Sequence, residues 1–164
     1  LTDGGAQLWG EGDPAPYTGN AVVDNAPPDP DILALHDDGV TNTLTFSQPV
    51  NDLVLALASF ETGRPIDYHF DKSFTILSQG ESGGYGTVGW MTQTGNTLTE
   101  VDAFGAIQFD GSLTSLSWVN TGTAYWHGFT VGAPNAVAVS EPSTMALLSI
   151  GLVVWVARRR RRRR

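Results

Sequence analysis

The sequence predicts an all-β fold: an antiparallel β-sandwich of jelly-roll type with about eight to ten short strands, followed by one C-terminal hydrophobic helix. Three observations predict it. Short runs alternate apolar and polar residues with period two, and no convincing 3.6-residue apolar stripe occurs before residue 139. Nineteen glycines and nine prolines punctuate those runs with turn residues. The final 25 residues, "SEPSTMALLSIGLVVWVARRRRRRR", differ in composition from everything before them.

Taken in order, residues 1–40 read as loosely organised. "EGDPAPYTGN" and "NAPPDPD" are loop text, because proline fixes φ and removes a backbone donor. "AVVD" between them predicts a short strand. "TNTLTFSQPV" sets Leu44 and Phe46 against Thr41, Thr43 and Thr45, as a half-buried strand does. "DLVLALASF" is apolar on both faces, which predicts a central strand covered on both sides. "IDYHFD" sets Ile66, Tyr68 and Phe70 against Asp67, His69 and Asp71. "SFTILS", "TVGWMT" and "TLTEV" follow as strands, with a glycine-rich loop after the first and a "TGN" turn before the last. In "FGAIQFDGSLTSLSWV", Asp110-Gly111 predicts a two-residue hairpin turn. Ile107 and Phe109 should then face the same layer as Leu116 and Trp118. "YWHGFTVG" is the last strand. The predicted organisation is a sandwich domain over 1–132, a small-residue linker over 133–140 and a separate tail over 141–164.

Charge sharpens the division. The formal charge is −8, but seven of the nine basic residues are Arg158, Arg159, Arg160, Arg161, Arg162, Arg163 and Arg164. Residues 1–139 set sixteen acidic side chains against Arg64 and Lys72, a net charge of −14. Such a domain lacks the cationic surface that replaces phosphate counterions, so nucleic acid is not an expected partner. The absence of cysteine excludes disulfides, thiolate metal sites and a cysteine nucleophile. Leu1 at the start predicts either a removed signal peptide or a fragment.

The tail has three parts: Ser140, Glu141, Pro142, Ser143 and Thr144; an apolar run from Met145 to Ala157; and the arginines. Met145, Leu147, Leu148, Ile150, Leu152, Val153, Val154, Trp155 and Val156 carry the apolar character. Thirteen helical residues span roughly 20 Å, short of the roughly 30 Å hydrocarbon layer. Extension through Glu141–Thr144 and outward-reaching arginines brings spanning within reach, with Pro142 in the first turn. The arginines set the cytoplasmic side, so the acidic domain lies outside. A buried core helix fits poorly, since the run is apolar all round and ends in adjacent like charges.

This order of parts, with "Val-Ser-Glu-Pro-Ser-Thr" leading it, resembles the PEP-CTERM sorting signal of exported bacterial proteins. Glu141, Pro142, Ser143 and Thr144 match that signal, and Ser140 stands where its first proline usually does. The resemblance implies export, transient retention in the inner membrane, and processing by an exosortase, a membrane-embedded transpeptidase-like enzyme. It implies a final place at the cell surface or in an extracellular, polysaccharide-rich matrix. The body weakly resembles the β-sandwich domains joined to such tails, through Phe46 to Val50 ("F-x-x-P-V") and the closing "WHGFTVG".

Chemistry-bearing patterns are few. "GESGG" (80–84) lacks any supporting base and reads as a flexible loop rather than a nucleophile site. Asp67, His69 and Asp71 share one strand face and read as a solvated polar face before they read as a metal site. Asp29, Asp31, Asp37 and Asp38 crowd the loops and are the candidate ligands for a structural calcium. His127 reads as a packed histidine rather than a general base. Trp9, Tyr17, Tyr85, Trp90, Trp118, Tyr125 and Trp126 could include a sugar-stacking platform, with most of them expected in the core. Tyr85 and Trp126 are the leading candidates, while Trp118 belongs to the core by its period. The expectation is a non-enzymatic, exported structural or adhesive protein with no cofactor beyond that calcium and with exosortase as a transient partner. The alternatives are a carbohydrate-binding module and a small secreted hydrolase.

Overall fold

The computed structural model describes residues 2–3, 15–27, 32–35, 38–60, 63–80, 89–122 and 126–132. They form strands β1 (Thr2–Asp3), β2 (Leu33–Leu35), β3 (Thr41–Phe60), β4 (Ile66–Phe70), β5 (Thr75–Gly80), β6 (Trp90–Thr94), β7 (Thr97–Val101), β8 (Phe104–Gly122) and β9 (Trp126–Gly132), with one short helix α1 (Ala15–Thr18). All pairings are antiparallel, in the order β1-β2-β9-β3-β8-β4-β7-β6, with β5 added beside β8.

Two long strands organise everything else. β3 has 20 residues and β8 has 19, and they pair along nearly their whole length. The late half of β3 and the early half of β8 are flanked by β9 and β5. The early half of β3 and the late half of β8 are flanked by β4, then β7 and β6. In a flat sheet β9 and β4 would stand roughly 14 Å apart, with β3 and β8 between them. Yet the rings of Tyr68 on β4 and His127 on β9 lie 5.7 Å apart, and those of Trp118 and Phe129 lie 5.2 Å apart. The sheet therefore folds back on itself and closes its two halves over one core.

The bend falls where the sequence predicted a hairpin. Asp110-Gly111 is not a chain reversal, because β8 continues through it. Asn51 pairs with Ser112 and Leu53 with Phe109, so Asp52 alone opposes Asp110 and Gly111. That is a β-bulge, in which two residues face one and the strand bends. Gly111 takes φ 85° and Asp52 φ 51°, and the Gly111 N–H donates to Asp52 Oδ1 at 2.7 Å. A second irregularity lies close by: between the Thr45–Ser115 and Val50–Leu113 pairs, four residues of β3, Phe46 to Pro49, stand against Thr114 alone. Proline has no donor for a ladder, and an irregularity is where a strand tolerates it. What the sequence presents as two strands on each side of a turn is thus one long bent strand on each side of the fold.

The shared core holds Leu53, Leu55, Leu57, Ile66, Tyr68, Phe70, Leu98, Ile107, Phe109, Leu116, Trp118 and Phe129. The expected grouping of Ile107, Phe109, Leu116 and Trp118 holds, although the bend rather than a hairpin brings them together. The expectation for "DLVLALASF" also holds. Leu53 to Ser59 are buried, and a second cluster of Tyr17, Ile32, Ala56, Ala58 and Phe104 covers their outer face. α1 supplies Tyr17, whose ring meets Phe104 edge-on at 6.2 Å and whose hydroxyl donates to the Leu57 carbonyl.

"AVVD" is not a strand. Asn20 Oδ1 accepts from the Val22 and Val23 N–H groups, and this side-chain capping holds the segment as a turn. The "TGN" turn is as expected: Gly95, at φ 61°, and Asn96 link β6 to β7. The chain falls into two compact units, Leu1–Pro134 and Asn135–Arg164. The predicted linker and C-terminal helix lie outside the described residues, among which no helix is long and apolar enough to cross a membrane.

Candidate functional site

The strand alternation that buries Tyr68 and Phe70 places Asp67 and His69 on the outer face of β4. They are joined there by residues of neighbouring strands. Thr94, Thr97 and His69 are in register across β6, β7 and β4, and Thr92, Thr99, Asp67 and Thr121 form the next row, which reaches β8. Beyond them, Ser117 pairs with Thr43 and Ser115 with Thr45. The outcome is a hydroxyl-rich face spanning five strands.

This face is cross-linked by its own polar groups. His69 Nδ1 meets Thr97 Oγ1 at 3.0 Å and Nε2 meets Thr121 Oγ1 at 3.1 Å. The Thr99 hydroxyl donates to Asp67 Oδ1. Asp71 Oδ1 accepts from the Ser117 N–H at 3.0 Å, and the Thr43 and Ser117 hydroxyls lie 3.0 Å apart. The arrangement is that of a polar sheet surface rather than a converging ligand set, and no group of three metal-binding side chains occurs among the described residues. Trp90, at the start of β6, is 46% exposed at the edge of this face. A period-two pattern places it beside Thr92 and Thr94, but periodicity alone does not say that a tryptophan is uncovered.

Of the calcium candidates, Asp38 is described: its Oδ1 accepts from the Gly122 N–H at 3.1 Å and fastens the start of β3 to the end of β8. Asp29, Asp31 and Asp37 lie outside the described residues. Tyr85 and the rest of the "GESGG" loop beyond Gly80 lie outside them as well, as does the side chain of Trp126. His127 is buried on β9 with its ring edge-on to Tyr68.

The polar groups that composition does not announce are inside. Ser59, Glu100, Asp102, Asn120 and His127 are all buried. Glu100 shares the inward face of β7 with Leu98. Burial pushes its carboxyl up to about 8, against the partial downward pull of the Tyr68 and Ser59 hydroxyls. The same burial, with Glu100 adding to it, raises Tyr17 and Tyr68 above the ordinary tyrosine value. A signal for Glu100 was present in the sequence, since "TLTEV" puts Leu98 and Glu100 on one face and Thr97, Thr99 and Val101 on the other.

Comparison with known protein families matches residues 138–163 to the PEP-CTERM protein-sorting motif. The match covers the tail on which the resemblance rested and leaves the body uncovered. No curated protein and no solved structure matches the chain.

Proposed function

We propose that this chain, which carries a PEP-CTERM protein-sorting motif at residues 138–163, is an exosortase substrate whose β-sandwich body serves, without enzymatic activity, as a structural or adhesive protein outside the cell. The motif itself is the observation that carries the reading, and it implies export and a membrane-held precursor before processing. Met145 to Val156 form the membrane helix of that precursor and Arg158 to Arg164 hold its cytoplasmic side. The body is a jelly-roll-like sandwich released or attached at the surface after processing, within a matrix such as a biofilm. Its acidic, cysteine-free character suits an exposed domain that stays soluble and relies on its core rather than on disulfides.

The deciding experiment is mass spectrometry of the mature protein from an exosortase-bearing bacterial host. A C-terminus close to Glu141 is expected. An intact Arg164 would replace sorting with permanent anchoring.

A second reading, a carbohydrate-binding module, is favoured by the exposed Trp90 beside the hydroxyl-rich face. An indole face can pack on sugar C–H groups while Asp67 and the threonines bond hydroxyls. A glycan array, probed with and without calcium, tests it. Silence in both conditions removes this reading and leaves the structural one.

A further inference from the structure

Glu100 is 0% exposed and sits at the seam between the two halves of the folded sheet. Tyr68 reaches it from β4 and Ser59 from β3, while Tyr17 acts on it from α1. His127 on β9 stands against both of its hydroxyl neighbours: it is the register partner of Ser59 and its ring contacts Tyr68. Asp102, two residues further along the chain, accepts from the Gly63 N–H at 2.7 Å. The two basic side chains of the body, Arg64 and Lys72, are both exposed.

The Tyr68 and Ser59 hydroxyls face the carboxyl without coming within hydrogen-bond distance of either oxygen, and no cation pairs with it among the described residues. A carboxylate in such a place lacks the pairing that offsets desolvation, whereas the neutral acid is far less penalised. We infer that Glu100 is a proton-controlled latch: as the neutral acid it lets the two halves of the sheet close over it, and on losing its proton to solvent it loosens the seam among β3, β4, β7 and β9.

The sign follows from linkage. In the folded chain Glu100 holds its proton up to about 8, whereas its ordinary value is 4.5. Between those values the folded state binds a proton that the unfolded state has released. The stabilising contribution is full below the ordinary value and is lost as pH rises through the folded one. Tyr17 and Tyr68 stay neutral over this range because both are raised. Surface self-repulsion also changes with pH, but it is common to the protein and its Glu100→Gln variant, which the comparison uses.

The test is the unfolding equilibrium of the full chain and of Glu100→Gln, measured by denaturant titration from pH 5 to 9. The unfolding constant of the wild type should rise relative to the variant by a factor approaching ten per pH unit through most of that range. Parallel pH profiles would overturn the latch. Should Glu100→Gln fail to fold, difference infrared spectroscopy of the wild type decides instead. A protonated-carboxyl band persisting at pH 7 and lost on titration past about pH 8 is expected. Absence of that band at pH 7 would equally overturn the inference.

Discussion

Asp52 and Gly111 show how a single contact shapes this fold. Asp52 is a non-glycine residue at positive φ, and its carboxylate holds the Gly111 N–H across the bulge. Asp52→Ala should cost about 1 kcal/mol by losing that bond, whereas Asp52→Asn, which tolerates positive φ and keeps an acceptor, should stay near wild type. Denaturant midpoints will distinguish them. Gly105 is constrained differently. A Cβ there would meet the Ser78 carbonyl oxygen at 2.4 Å and the Met91 side chain at 3.0 Å, so β5 could not keep its place beside β8. Gly105→Ala should destabilise by about 2–3 kcal/mol, the usual range for overpacking. Gly39, at positive φ with open space around it, should lose only about 1 kcal/mol on the same change. Both positions read identically in the sequence as glycine in a β-rich chain. Only the neighbouring backbone separates them.

At the scale of elements, the pair β3–β8 carries the structure. Each strand serves both halves of the sheet, and the core residues of each half lie on opposite sides of the bulge. Gly111→Val would put a β-branched side chain at φ 85° on that bend and should cost at least about 1–2 kcal/mol. Circular dichroism and thermal unfolding would register the loss. The loss is expected to exceed that of Thr114→Val, an exposed position in the same strand. Phe109→Ala, next to the bend and packed on Phe70 and Phe74, should cost about 3–5 kcal/mol. From residue 41 on, the strand positions, the two-faced burial of β3 and the β6–β7 hairpin were legible in the sequence, because local alternation and turn residues specify them; β2 was not read, and "AVVD" is a turn. The bend was not. A two-residue Asp-Gly step supplies the same positive φ to a hairpin turn and to a bulge, and only the pairing partner determines which forms.

For the whole molecule, the core formed by the described residues lies within 17–129. A chain ending at Pro134 should therefore unfold in one cooperative transition with a midpoint close to that of the full chain. Its net charge over residues 1–139 of −14 sets a second expectation. Added salt should raise the midpoint modestly by screening self-repulsion, and scanning calorimetry at two ionic strengths will show it.

The sorting motif needed no tertiary structure to be found. A Glu-Pro-Ser-Thr entry, an apolar run and a block of arginine are properties of local order, and the family comparison matched that same stretch. The all-β character was equally determined by sequence, through alternation and turn composition. Tertiary structure alone decided that the sheet folds at Gly111 and that Trp90 remains uncovered. It also decided that the buried Glu100 faces Tyr68 and Ser59 inside the core. The physical reason is range. Periodicity reports which side of its own strand a residue occupies, whereas desolvation of a carboxyl depends on residues brought to it from β3, β4 and α1.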